Sequence, residues 1–105
     1  MKKISYLIYL EKNGNIYLKV GKTSNWYRRK HQYKESGYTV LEIIHFFKWE
    51  TDNQALEFED VLRDYFKEKY RGKKKQVFCP KDRFLNGYVS QKDLRALKRT
   101  YKEMR

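Results

Sequence analysis

A phenol at Tyr9, an ammonium at Lys19, a guanidinium at Arg29 and a carboxylate at Glu59 stand at separated points of the chain, and together they are the groups of a phosphate-handling site. Tyr9 ends the run Leu7-Ile8-Tyr9, and Lys19 begins Lys19-Val20-Gly21, two residues after a second phenol, Tyr17. Singly, each has a plainer reading. Tyr9 and Tyr17 would make an ordinary cross-strand aromatic pair, Arg29 would stack on the Trp26 indole, and Glu59 would pair with Arg63 one turn along a helix. Their conjunction, in order and on suitable elements, is what points to one site.

The surrounding composition narrows the partner. Twenty-five Lys and Arg against thirteen Asp and Glu leave a net charge of +12 on 105 residues. Such an excess ordinarily serves to bind a polyanion, because neutralising phosphates releases their condensed counterions. Nucleic acid comes first and an acidic membrane surface second. A chain of this length forms one domain with one modest core, since surface-to-volume scaling leaves little room for another. Ten Tyr, six Phe and two Trp supply the bulk for that core, which sets aside disorder despite 36% charged residues. Cys79 has no second cysteine to pair with, and with only His31 and His45 beside it no zinc quartet assembles. A reducing cytoplasm fits this cysteine usage. The apolar run Ile4 to Leu10 behind Lys2-Lys3 is too short for a signal peptide, holds two tyrosines and lacks a small-residue cleavage site. No segment has the length to span a bilayer.

Positioning falls to the elements between these groups. Ile4, Tyr6, Ile8 and Leu10, then Ile16, Leu18 and Val20 after Lys12-Asn13-Gly14, have the period of a β-hairpin. An Asn-Gly pair usually signals a two-residue loop, which here pairs Lys12 with Asn15, Ile8 with Lys19 and Tyr9 with Leu18. A three-residue loop with Gly14 left-handed instead pairs Glu11 with Asn15, Ile8 with Leu18 and Tyr9 with Tyr17, and makes one face wholly hydrophobic. Because a one-residue slip moves every side chain across the sheet, the second register is preferred; it sets Tyr9, Tyr17 and Lys19 on one face. Thr23, Ser24 and Asn25 are competent N-caps for a helix from Trp26 to Glu35, on which Trp26, Arg29 and Tyr33 share a face that Arg28 does not. From Thr39 or Val40 to Trp49 both alternating sets are mostly apolar, which predicts a strand covered on both sides, inside the sheet. Thr51 with Gln54 makes a capping box for a helix to about Glu68, with an apolar stripe of Ala55, Phe58, Leu62, Tyr65 and Phe66. Helical phase sets Glu59 on the border of that stripe and sends Glu57, Asp60 and Asp64 to the far side. Lys67 to Gln76 reads as a basic loop and Gln76 to Cys79 as a short extended piece. Ser90 with Asp93 caps a last helix whose Leu94, Leu97, Tyr101 and Met104 oppose Lys92, Arg95, Arg99 and Lys102.

Strand, strand, helix, strand, helix, with these residues in place, resembles the GIY-YIG endonuclease superfamily over about residues 4–78. Leu7-Ile8-Tyr9 stands at its first motif and Lys19-Val20-Gly21 at its second, with Lys19 where most of the superfamily carries tyrosine. Val20-Gly21-Lys22-Thr23 and Arg63 to Phe66 look like the compact phage and bacterial branch, in which lysine is common at that point. Arg29, eight residues after Gly21, matches the arginine of the first helix, and Ala55 to Leu62 resembles the metal-ligand helix. The resemblance implies an α+β, GIY-YIG-like domain over residues 1–105, with a small antiparallel three-stranded sheet flanked by helices and a 79–105 extension ending in a basic helix. It also implies hydrolysis of DNA phosphodiester bonds with Mg²⁺ or Mn²⁺. Glu59 would hold the metal, which stabilises the departing 3′ oxygen; Arg29 would neutralise the phosphoryl oxygens; Tyr9 would orient or deprotonate the attacking water. An unperturbed lysine, with a pKa of about 10.4, is protonated at neutral pH. Two roles for Lys19 therefore stay open: a phosphate-binding cation while Tyr9 or Tyr17 handles the water, or a base depressed by Arg29 and the metal.

Gly14 and Gly21 serve the backbone of these motifs. Val20-Gly21-Lys22-Thr23 also looks like the tail of a phosphate-binding P-loop, but the earlier glycine is missing and the spacing fails. Lys22, Arg28, His31, Arg71, Lys73, Lys74, Lys75, Arg95 and Arg99 are the cations expected to follow a nucleic acid, duplex or branched DNA first and RNA as the alternative. His45, in an apolar strand, reads as a packed residue. Two other readings compete: a module of the same fold that grips nucleic acid without cutting, and a basic module for an acidic protein. Oligomeric state is not encoded legibly. If the basic face neutralises about five phosphates, log affinity for DNA falls with log salt at a slope of roughly −4.5. An anisotropy titration at several salt concentrations measures that slope, and a value near zero takes these cations out of the interface.

Overall fold

In the computed structural model, which describes residues 3–70, 76–79 and 89–105 and the side chains of 3–66 and 89–105, the chain first reverses at Asn13-Gly14. Both residues have positive φ, 52° and 80°, the left-handed pair that a two-residue type I′ turn demands. β1 (Lys3–Lys12) and β2 (Asn15–Thr23) therefore pair with Lys12 opposite Asn15, Tyr9 opposite Leu18, Ile8 opposite Lys19 and Tyr6 opposite Gly21. The three-residue loop, with Tyr9 opposite Tyr17, does not form. It presumes a hairpin with a single buried face, whereas every residue from Ile4 to Leu10 is buried. Both faces of β1 accept apolar groups, so hydrophobic patterning cannot select the register and the turn does.

α1 (Trp26–Glu35) is capped by Asn25, whose side chain accepts from the Arg28 N–H at 3.1 Å. β3 (Thr39–Trp49) returns antiparallel to β1. α2 (Asp52–Tyr70) opens on the Thr51–Gln54 capping box, in which the Gln54 N–H donates to Thr51 Oγ1 at 3.2 Å and Gln54 Oε1 accepts from the Thr51 N–H at 3.1 Å. β4 (Gln76–Cys79) pairs with Ile16 to Lys19 of β2, and α3 (Gln91–Met104) starts from a Ser90–Asp93 capping box. The strand order is β3-β1-β2-β4, antiparallel throughout, so a short fourth strand joins the three expected. β3 is an edge strand and not an interior one. Its apolar residues Leu41 and Ile43 are 38% and 43% exposed, and two bulges shift its register against β1, a device that blunts edges against further pairing.

A core lies on each face of the sheet. On one, Tyr6, Ile8 and Leu10 pack with Trp26 and Tyr33 of α1 and with Tyr38, Val40 and Phe46. On the other, Leu7, Tyr9, Leu18 and Val20 meet Ala55, Phe58, Leu62 and Phe66 of α2 and Leu97 of α3. Ser5 Oγ donates to the Ala55 carbonyl at 2.7 Å and so pins the first turn of α2 to β1. Among the described residues no helix is long and apolar enough to cross a membrane.

A Cβ at Gly14 would touch nothing within 4 Å, so the cost of adding one is conformational alone. Gly14→Ala is expected to lower the unfolding free energy by roughly 1–2 kcal/mol in a urea titration, with Gly14→Asn recovering part of the loss because Asn visits the left-handed region. An alanine variant as stable as the wild type would contradict this turn.

Candidate active site

Opposite Tyr6 stands the one β2 residue without a side chain. A Cβ added at Gly21 would overlap the Tyr6 hydroxyl and ring, so the phenol occupies the space that glycine leaves. Tyr6 is fully buried. Trp26 and Tyr33 of α1 meet it edge-on, with ring centroids 5.4 and 6.4 Å away, and the Tyr6 and Tyr33 hydroxyls share a hydrogen bond of 2.5 Å.

β4 pairs with β2 only as far as Lys19. Beyond that point an open cleft of about 320 Å³ is lined by Tyr6, Lys19, Val20, Gly21, Lys22, Arg29, Leu56 and Glu59. Strand alternation brings Lys19 from the α1 side of the sheet and Lys22 from the α2 side. Arg29 comes from α1 and Glu59 from α2. Glu59 is only 3% exposed, while Glu57 and Asp64 face solvent as helical phase predicts; Asp60, expected on the same far side, is half-buried. Arg63 reaches Asp60 at 3.2 Å. Carboxylates are rarely this buried unless cations or hydrogen-bond donors surround them, and here three cations line the same cleft.

Burial drives the Tyr6 hydroxyl far above the ordinary phenol range, and the neighbouring Tyr33 adds to the rise; Arg29, as a nearby cation and hydrogen-bond donor, opposes it. Tyr33 is raised by burial too, against the Tyr6 hydrogen bond and Arg29, with the charge of Glu59 adding to the rise. Arg29 therefore bears on both hydroxyls, and Glu59 lies within electrostatic reach of Tyr33. Both phenols stay protonated at physiological pH. In that state they can donate hydrogen bonds and position what they bind.

Of the residues predicted as catalytic, Lys19, Arg29 and Glu59 converge; Tyr9 and Tyr17 do not join them. Tyr9 is 4% exposed on the opposite face of β1, and its hydroxyl accepts from the Val89 N–H at 3.1 Å. Tyr17 shares the face of Lys19 but lies nearer the turn, against Tyr38 with ring centroids 6.4 Å apart. The tyrosine that lines the cleft with Lys19, Arg29 and Glu59 is Tyr6. The signal for it lay in Asn13-Gly14, whose two-residue loop sets Tyr6 opposite Gly21. Tyr33, grouped with Arg29 by helical phase and given no role, is its hydrogen-bonded partner.

Among the wider set of cations, Lys22 is in the cleft. Arg28 is exposed on α1, His31 is paired with Glu35 at 2.6 Å on the solvent side of that helix, and Arg95 and Arg99 are exposed on α3. Arg71, Lys73, Lys74 and Lys75 lie outside the described residues. His45 packs against Phe47 with centroids 4.6 Å apart; burial and nearby Lys98 lower its pKa. Among the described residues no cluster of three or more His, Cys, Asp or Glu assembles, and Glu59 is the single carboxylate lining the cleft. One carboxylate is a fitting donor set for a hydrated divalent ion that completes its octahedron with waters and phosphate oxygens.

Compared with models of protein families, with curated proteins and with solved structures, the chain matches none.

Gly21→Ala is expected to cost about 1–3 kcal/mol of stability by overpacking. The cost should shrink in a Tyr6→Leu background, giving a coupling of at least about 0.5 kcal/mol in a double-mutant cycle followed by urea unfolding. Strictly additive losses would mean that Tyr6 does not occupy the space over Gly21.

Proposed function

We propose that this chain is a metal-dependent endonuclease of the GIY-YIG type that hydrolyses DNA phosphodiester bonds in the cleft at the open edge of β2, with Tyr6 in the role first given to Tyr9. The observation that carries this reading is the convergence of Arg29, Lys19 and Lys22 with a buried Glu59 around a neutral phenol. Arg29 grips two phosphoryl oxygens through its planar fork, and the two lysines add point charges from either side of β2. Glu59 would hold Mg²⁺ or Mn²⁺, which when bound with substrate would neutralise charge on the departing 3′ oxygen. The Tyr6 hydroxyl, hydrogen-bonded to Tyr33 and close to Arg29, donates to a phosphoryl oxygen held in the cleft that it lines. Neither Tyr9 nor Tyr17 is available to take the proton of the attacking water, which passes to solvent, and Lys19 keeps its place as a phosphate-binding cation.

The protonated state of Tyr6 also favours a second reading, a module of this fold that holds nucleic acid without cutting it. Plasmid nicking separates the two. Supercoiled DNA is expected to be nicked with Mg²⁺ or Mn²⁺, and to stay intact with EDTA or with Glu59→Gln. Tyr6→Phe and Lys19→Met should each slow nicking by about tenfold or more, whereas Tyr9→Phe should leave the rate within about twofold. Because Tyr6 stays neutral from about pH 6 to about pH 9, any slope of rate with pH in that range should survive in Tyr6→Phe. No nicking with any metal would sink the endonuclease reading. Nicking that persists in Glu59→Gln would move the metal site elsewhere.

A further inference from the structure

On the flank of α1 away from Arg29, a second cleft of about 400 Å³ opens between the helix and the start of β3. Counting from Arg29 at about 100° per residue, Tyr33 lies roughly 40° round the helix, Lys30 roughly 100°, Lys34 roughly 140° and Tyr27 roughly 160°. Tyr33 marks the buried centre line, with Arg29 on one side of it and the other three on the far side. Tyr27 is 85% exposed, the most exposed of the large hydrophobic side chains described. Tyr38 and Val40 make the floor. Tyr38 is held in place by Tyr17 and Tyr33, with centroids 6.4 and 6.3 Å away, and by Lys12, whose Nζ sits 4.8 Å from its ring centre. His31 also lines the cleft and is paired with Glu35 at 2.6 Å; no acid is itself among the described lining residues.

An exposed ring beside two lysines over a fixed apolar floor has the make-up of a base-stacking platform. The ring offers a π face that any base can use, and the ammonium groups, both further along the helix, neutralise phosphates of the strand that runs on from that base. An acidic peptide would use the lysines and leave the ring without a partner. We propose that this cleft binds an unpaired nucleotide of a DNA strand, its base against Tyr27 and its phosphates on Lys30 and Lys34. The inference rests on the nucleic-acid reading above but not on cleavage. It also narrows the substrate class. A base inside a blunt duplex has no free face to stack, so DNA carrying a single-stranded segment is preferred over blunt duplex. A strand that crosses the outer surface of α1 past exposed Arg28 reaches both the Arg29 cleft and this one.

Anisotropy titrations with a labelled single-stranded oligonucleotide, a fork, a blunt duplex and a single strand with abasic sites at its centre test this. The proteins are the wild type, Tyr27→Ala, Tyr27→Phe and Lys30→Ala/Lys34→Ala. Tyr27→Ala is expected to weaken binding to the single strand and the fork by roughly 5- to 100-fold, the range of one lost stacking contact. It should leave the blunt duplex within twofold, and the wild-type preference for base-bearing over abasic strand should disappear with it. Tyr27→Phe should keep the wild-type pattern, and the double lysine variant should weaken base-bearing and abasic strands alike. Because Tyr27 is almost wholly in solvent, the thermal unfolding of its variants should match the wild type. Equal losses on all four DNAs, or no loss on the single strand, would overturn the stacking site while leaving nucleic-acid binding intact. A wild type that binds no DNA but holds a poly-glutamate peptide would overturn both.

Discussion

The contact between Tyr6 and Gly21 is what the cleft depends on. With any side chain at position 21, the Tyr6 ring would have to lift towards α1, where Trp26 and Tyr33 already touch it. Arg29 would move with it, since it bears on the same two hydroxyls. The pairing that sets Tyr6 over Gly21 is itself fixed at the far end of the hairpin by two left-handed residues, Asn13 and Gly14. Slipping that register by one would turn Tyr17 and Lys19 onto the face of Tyr9, which α2 and α3 cover. An ammonium thrust into that core would cost several kcal/mol. The slip is thus disfavoured by turn geometry and by charge burial at once, even though it would give a more uniform hydrophobic face.

Features confined to one element were legible in the sequence. Asn25, Thr51 with Gln54, and Ser90 with Asp93 cap the helices as their residue types require. Helical phase separates Arg29 from Arg28 and Glu59 from Glu57, because the orientation of a residue on a helix depends on that helix alone. Features that depend on what lies across a sheet were not legible in this way. β1 is apolar on both faces because it is central; β3 is apolar on both faces and yet lies at an edge. Hydrophobic pattern therefore could not rank the strands, and the same ambiguity exchanged Tyr9 for Tyr6. These two residues are three apart on one strand and so must face opposite ways. Which of them joins Lys19 is decided only by the loop.

Burial favours the neutral form of Tyr6 and Tyr33 and so fixes two hydroxyl dipoles in place beside the Arg29 guanidinium. Dipoles and charges held before a substrate arrives need no reorganisation when charge builds on a phosphoryl group, which is the condition under which electrostatic stabilisation is most effective. Among the described residues Glu59 is the one carboxylate lining this cleft, and it comes from the other face of the sheet. The absence of a side chain at Gly21 lets groups from both faces meet around one strand edge.

Tyr9, matched by motif but turned away from the cleft, has a structural task. Its hydroxyl receives the Val89 N–H just before the Ser90 cap of α3. Two more tyrosine hydroxyls fasten the same helix: Tyr65 donates to Asp93 at 2.8 Å, and Tyr101 donates to the Lys48 carbonyl at 2.7 Å. Each bond leaves an aromatic body in or beside the core and uses the polar tip to set the position of a helix whose outer face is basic. α3 contributes Leu97, its one fully buried residue, and the Tyr101 ring, which packs against Phe47, Trp49 and Phe58. Without those three hydroxyls, a helix carrying Arg95, Arg99 and Lys102 would be held by these two side chains against the mutual repulsion of a strongly cationic chain. The many tyrosines of this sequence thus divide their work by face of the sheet: Tyr6 and Tyr33 shape the cleft on one side, and Tyr9, Tyr65 and Tyr101 secure the basic helix on the other.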